Sequence, residues 1–113
     1  MKEKIDILLF KTDGSYEEIA VLNELNQLQK LVGGYIETVT ISNEIILICD
    51  EEGRIKNKRC NPYLRDICGD FILCGADGEN FRSLTEKEKY ILIKTIFGPA
   101  EYRKKLSDDW QTQ

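Results

Sequence analysis

The stretch YIETVTISNEIILICD, residues 35–50, decides the fold class. Tyr35 to Ile41 is rich in β-branched residues, which suit a pleated, half-buried surface, so it reads as a strand. Glu44 to Asp50 is a nearly unbroken apolar run, the pattern of a strand covered on both faces. Only Ser42-Asn43 separates the two. Parallel neighbours need a crossover of roughly a dozen residues or more, so these strands form an antiparallel hairpin and a doubly wound parallel fold is disfavoured.

Toward the N-terminus, Lys4 to Lys11 (KIDILLFK) alternates as a strand, with Ile5, Ile7 and Leu9 on one face. Thr12-Asp13-Gly14 is a turn signal. Ser15 followed by Glu18 has the capping-box spacing and predicts a helix start. Val21, Leu22, Leu25, Leu28 and Val32 then form an apolar stripe on a helix running to Val32, where Gly33-Gly34 stops it.

Toward the C-terminus, Glu51-Glu52-Gly53 is a turn and Arg54 to Gly69 is irregular. Asp70 to Cys74 is a short strand and Ala76-Asp77-Gly78 a turn. Thr85 with Glu88 is a second capping box. The helix it opens carries Tyr90, Ile93, Ile96 and Phe97 on one face, and Gly98-Pro99 ends it. A short helix is a further expectation over Ala100 to Leu106. The pattern predicts one α+β domain over residues 1–107 with a flexible tail at 108–113. Its sheet is mixed or mainly antiparallel, with two helices packed on one side, in the order β-α-β-β-loop-β-α.

The chain has 113 residues, 42% of them hydrophobic, which suits one domain with its own core. No apolar run approaches the ~20 residues of a membrane span. The opening MKEKIDILLF has a short apolar run, carries Asp6 and lacks a small-residue cleavage site, so it reads as a first strand and not a signal peptide. A cytoplasmic protein is expected. Its cysteines, Cys49, Cys60, Cys68 and Cys74, are then free thiols. Cys49 and Cys74 lie in apolar runs and read as small buried hydrophobes. Without histidine or a close cysteine pair, no metal site is expected. The net charge of −4 speaks against a duplex nucleic-acid partner, but leaves room for a local anion site.

Candidate chemistry is sparse. Histidine, the commonest general base, is absent. Ser83 reads as a turn or cap residue. Asp50-Glu51-Glu52 lacks the ligand spacing of a calcium loop and reads as a solvated turn. Gly33-Gly34 follows a helix instead of preceding one, so it is a helix stop and not a phosphate loop. No catalytic residue, metal or cofactor is expected, and the chain does not read as an enzyme.

The one charge anomaly is the loop from Arg54 to Arg65. It holds five cations, Arg54, Lys56, Lys58, Arg59 and Arg65, and no acid. One reading is a solvated basic loop partly neutralised by Asp50, Glu51, Glu52 and Asp66. The other is a site for a small phosphorylated ligand or an acidic protein surface. In that second reading Arg54, Lys58 and Arg59 hold phosphate. Asn57 and Asn61 supply amide groups, and Tyr35 or Tyr63 stacks on a base.

Residues Leu28 to Glu37 (LQKLVGGYIE) resemble the LQ-x-(L/I)-VGG-x-IE signature of a small domain family of unknown function from phages, plasmids and their bacterial hosts. Glu51-Glu52-Gly53, Asn61-Pro62, Gly69-Asp70 and Ser83-Leu84-Thr85-Glu86 follow in the family's order. The resemblance spans roughly Ile5 to Phe97. It implies an accessory protein of a mobile element and offers no reaction to carry over. By analogy with other small phage proteins, it suggests counter-defence in the host cytoplasm. One form is sequestration of a nucleotide-like immune signal, expected as a homo-oligomer; the alternative is binding of a host defence protein. Within the signature, Gln29 and Glu37 flank the glycine turn. They either hydrogen-bond backbone there, or line a groove with Tyr35 and read a base edge.

Overall fold

Strand alternation and a tight turn build the first hairpin. The computed structural model describes residues 3–97, and β1 (Lys4–Phe10) pairs antiparallel with β2 (Tyr16–Leu22) from Lys4↔Leu22 to Phe10↔Tyr16. The Gly14 N–H donates to Lys11 O, the Lys11 N–H donates to Ser15 O, and the Asp13 carboxylate accepts from the Ser15 N–H and hydroxyl. Gly14 has φ +90°, a left-handed value that favours glycine.

This corrects the expected helix from Ser15. Ser15 belongs to the turn, and YEEIAVL is a strand whose Ile19 and Val21 lie opposite Ile7 and Ile5. The stripe through Val21 and Leu22 had helical spacing, but the period-2 alternation of Ile19 and Val21 matches the β1 face. Tertiary pairing overrides the local helix signal.

The helix α1 (Leu25–Val32) is correspondingly short, and Gly33 at φ +80° closes it, with the Gly33 and Gly34 N–H groups donating to Gln29 O. The hairpin of β3 (Ile36–Thr40) and β4 (Ile45–Asp50) is antiparallel. After the irregular loop come β5 (Phe71–Asp77), the three-residue β6 (Asn80–Arg82) and α2 (Glu86–Phe97). The sheet order is β2-β1-β5-β4-β3, with β6 added on β5, and every described pairing is antiparallel. The α+β class stands; the element order is β-β-α-β-β-β-β-α.

The helices lie on opposite faces of the sheet, not on one side as expected. Ile5, Ile7, Leu9, Ile48, Ile72 and Cys74 pack with Leu28 and Val32 of α1. Leu8, Phe10, Leu47, Cys49, Phe71 and Leu73 pack with Leu92 and Ile96 of α2 and with Tyr63, Leu64 and Ile67 of the loop. The reason is in the strands themselves. β1, β4 and β5 are apolar in both parities, so both faces need a cover.

The Thr85 capping box is realised. The Glu88 N–H donates to the Thr85 hydroxyl at 3.1 Å, and the Thr85 N–H donates to the Glu88 carboxylate at 2.9 Å. Arg82 of β6 adds a two-bonded pair to Glu88 at 2.8 and 2.9 Å. That guanidinium, against a smaller opposing effect of burial, holds Glu88 down to about 2. The buried face of α2 is Leu92 and Ile96, with Ile93 half-buried, while Tyr90 is 64% exposed, contrary to its expected place on that face. The Gly98-Pro99 stop, the short helix over Ala100 to Leu106 and the tail at 108–113 lie outside the described residues.

Leu25 carries the second consequence of the misread helix, because it is 56% exposed while Leu28 is 1% exposed. Leu28→Ala is expected to cost about 2–5 kcal/mol by opening a cavity beneath α1. Leu25→Ala should change stability by about 0.5 kcal/mol or less. Chemical denaturation of the two variants side by side checks this; equal midpoints would place α1 on the wrong face.

Candidate functional site

The loop between β4 and β5 is organised by a carboxylate. Asp50 ends β4 with its side chain fully buried. Lys58 Nζ lies 2.6 Å and Lys56 Nζ 3.0 Å from Asp50 Oδ2, and the Glu52 N–H donates to Oδ1 at 2.9 Å. The same ammonium groups reach the end of α1. Lys58 donates to Val32 O at 2.7 Å, and both lysines donate to Gly33 O. Two cations therefore sit at the negative end of the α1 dipole and on the carboxylate beside it. Burial alone would raise the Asp50 carboxyl, but the bonds from Lys58, the Glu52 N–H and Lys56 outweigh it and hold it below the usual carboxylate range.

This cluster accounts for the paired glycines. A Cβ on Gly34 would stand 2.5 Å from Lys56 Nζ and 2.6 Å from Asp50 Oδ1. Gly33 supplies the left-handed turn, and Gly34 supplies the room for the ion cluster.

Two of the five loop cations are thus largely committed to the fold. The remaining expected site residues separate. Arg54 and Glu37 line a cavity of about 360 Å³ with Asp50, Glu51, Asp66 and Cys68, so the other charged residues that line it with Arg54 are acids. Arg54 also donates to Asp66 O at 3.4 Å. Asn57 is exposed at φ +58° and its N–H donates to Arg54 O, so it forms the loop's turn. Tyr35 is 66% exposed at the head of β3. Gln29 and Glu37 make no side-chain hydrogen bond among the described residues, so the backbone-bonding role expected for them is not realised.

Asn61 and Tyr63 belong to the interior. Asn61 is 0% exposed, donates to Phe10 O at 3.2 Å and Gly69 O at 3.0 Å, and accepts from the Tyr63 N–H at 3.0 Å. The Tyr63 ring packs edge-on against Phe10, and its hydroxyl donates to Gly14 O. The side-chain polar groups of both are engaged within the fold, although Asn61 borders the larger depression beside Arg59.

Arg59 is placed differently. It lines two adjoining depressions of about 290 and 540 Å³, which share Thr12 and Arg59 as a common wall. Lys30 of α1 and Lys58 line the smaller, and Arg65 lines the larger. Two acids are also present, but each is engaged: Asp70 accepts from the Thr12 N–H at 2.9 Å and Asp13 caps Ser15. Among the described residues no salt bridge engages Lys30, Arg59 or Arg65. Sequence reasoning counted Arg65 in the basic loop without giving it a role. It missed Lys30, which lies within the LQKLVGG block but whose approach to Arg59 depends on the docking of α1.

Among the described residues no helix is long and apolar enough to cross a membrane. A family model described as a domain of unknown function, DUF3846, matches residues 4–96. No curated protein and no solved structure matches the chain.

Proposed function

The chain belongs to the DUF3846 family, and from that premise we propose that it is a non-catalytic protein that binds a small, anionic, nucleotide-like ligand in the groove around Arg59. The observation that carries this reading is the cluster of Lys30, Arg59 and Arg65, three cations in no salt bridge among the described residues, along two joined depressions. Guanidinium and ammonium groups make charge-assisted bonds to phosphate oxygens, and the depressions have the size of small-molecule sites. Arg59 keeps the phosphate role expected of it and Lys30 and Arg65 join it, while Lys58, also expected to hold phosphate, is engaged by Asp50, Val32 O and Gly33 O. Arg54, Glu37, Tyr35 and Asn57 line neither depression.

The biological setting proposed is counter-defence by a phage or other mobile element. There the protein sequesters a nucleotide-like immune signal in the host cytoplasm without turning it over. The resemblance of residues 28–37 to a family of mobile elements supports that setting. A second reading, docking to a host protein, is favoured by the exposure of Tyr35 (66%) and Ile55 (80%).

The test is a thermal-shift panel of cyclic nucleotides and ADP-ribose derivatives. A bound ligand at a hundredfold excess over its Kd should stabilise the fold by about 2.7 kcal/mol. Arg59→Glu should abolish the shift yet leave the free protein's stability nearly unchanged, because an exposed charge contributes little to folding. No shift with any nucleotide, together with capture of a host protein that Arg59→Glu loses, would establish the second reading. Unfolding of the free Arg59→Glu protein would make the cation structural and remove the main support for the ligand-binding reading.

A further inference from the structure

Cys60 and Cys68 face each other across an isolated antiparallel bridge in the loop between β4 and β5. The Asn61 N–H donates to Ile67 O and the Gly69 N–H donates to Arg59 O, both at 2.8 Å. These bonds flank the cysteines, so the pair occupies a non-hydrogen-bonded position of the ladder. There Cα atoms approach to about 4.5 Å and side chains lie closest. That spacing falls at the near end of the disulfide range of about 4.4–6.8 Å. The sulfurs are already 3.9 Å apart, and side-chain rotation closes them to about 2.05 Å. The backbone need not move. Asn61, Tyr63, Leu64 and Ile67 anchor the intervening loop in the interior.

We propose that Cys60 and Cys68 are a reversible dithiol–disulfide site whose oxidant is a low-molecular-weight disulfide of the glutathione type. Cys60 is the exposed member and reacts first. Its thiolate attacks one sulfur of the external disulfide. The old sulfur–sulfur bond breaks, and the departing thiolate takes up the proton that Cys60 released. The Cys68 thiolate then attacks Cys60 Sγ in the mixed disulfide and expels the second small thiolate, which takes the Cys68 proton. The pair loses two electrons and the external disulfide becomes two thiols.

The other two cysteines are unsuited to this chemistry. Cys49 and Cys74 are buried in the sheet, and burial pushes each thiol up to about 12. Burial and the neighbouring Cys60 thiol also raise Cys68. That suits Cys68 to the second step, in which its target sulfur is held beside it, and not to the first.

The experiment incubates the full chain, reduced and desalted, with oxidised glutathione at neutral pH. The expected product has lost two hydrogens by intact mass and retains two of its four thiols. A digest should join Cys60 to Cys68, and dithiothreitol should restore the starting mass. Cys68→Ser should stop at a glutathione adduct on Cys60, and Cys60→Ser should stay unmodified. Four titratable thiols after incubation would overturn the proposal. So would a wild-type adduct that never resolves, or a bridge that includes Cys49 or Cys74.

Discussion

Asp50→Ala is expected to cost the domain about 2–4 kcal/mol of stability. Removing one partner from a buried ion cluster leaves the others uncompensated, which costs about 3–5 kcal/mol when all are buried. Lys56 and Lys58 are 38% and 25% exposed and can turn partly to water, which lowers the figure. The loss spreads further than one loop. The same lysines cap Val32 O and Gly33 O, so α1 should loosen with the cluster. Urea denaturation reads the change in midpoint, and hydrogen exchange of α1 amides reads its reach. A variant as stable as the parent would show that the lysines hold the helix end without the carboxylate.

The cluster also predicts the acid limb of stability. Asp50 is held below its ordinary pKa in the folded state, and Glu88 is held at about 2. A carboxyl depressed by folding stabilises the native state above its unfolded pKa of about 4, and that contribution is lost as pH falls through the folded value. The parent should therefore lose stability between about pH 4 and pH 2, and Asp50→Ala should show a shallower loss over that interval.

Asn61→Ala should cost about 3 kcal/mol or more. Its amide serves three backbone groups, Phe10 O, Gly69 O and the Tyr63 N–H, in a place closed to solvent. A buried polar group left without a partner costs about 1–3 kcal/mol. Asn61→Asp is a sharper probe, since it keeps the acceptor for Tyr63 but turns an oxygen toward two carbonyls. It should be less stable at pH 7, where the buried group must ionise or take up a proton, than near pH 4. Denaturation midpoints at the two pH values check both variants; an unchanged Asn61→Ala midpoint would mean that water replaces the amide.

Much of the fold was legible. Residues 35–50 read as a hairpin because β-branched enrichment, an apolar run and a two-residue gap agree. The Thr85 box read correctly because its two hydrogen bonds are local. The first helix was misread because Ser15, Glu18 and the Val21–Val32 stripe satisfy helical spacing, while the partner that makes Tyr16–Leu22 a strand is β1. The opposite placement of the two helices follows from β1, β4 and β5, whose apolar residues on both faces each need a cover.

The sequence by itself determined the α+β class, the β3–β4 hairpin, the α2 capping box and the concentration of cations between Arg54 and Arg65, since each depends on neighbours within a few residues. Tertiary structure alone decided which of those cations are available. Charge in a loop is counted along the chain, but neutralisation happens in space. The carboxylate of Asp50 and the carbonyl end of α1 claim Lys56 and Lys58, Arg54 lines a cavity whose other charged residues are acids, and the docking of α1 brings Lys30 to the groove that Arg59 shares with Arg65.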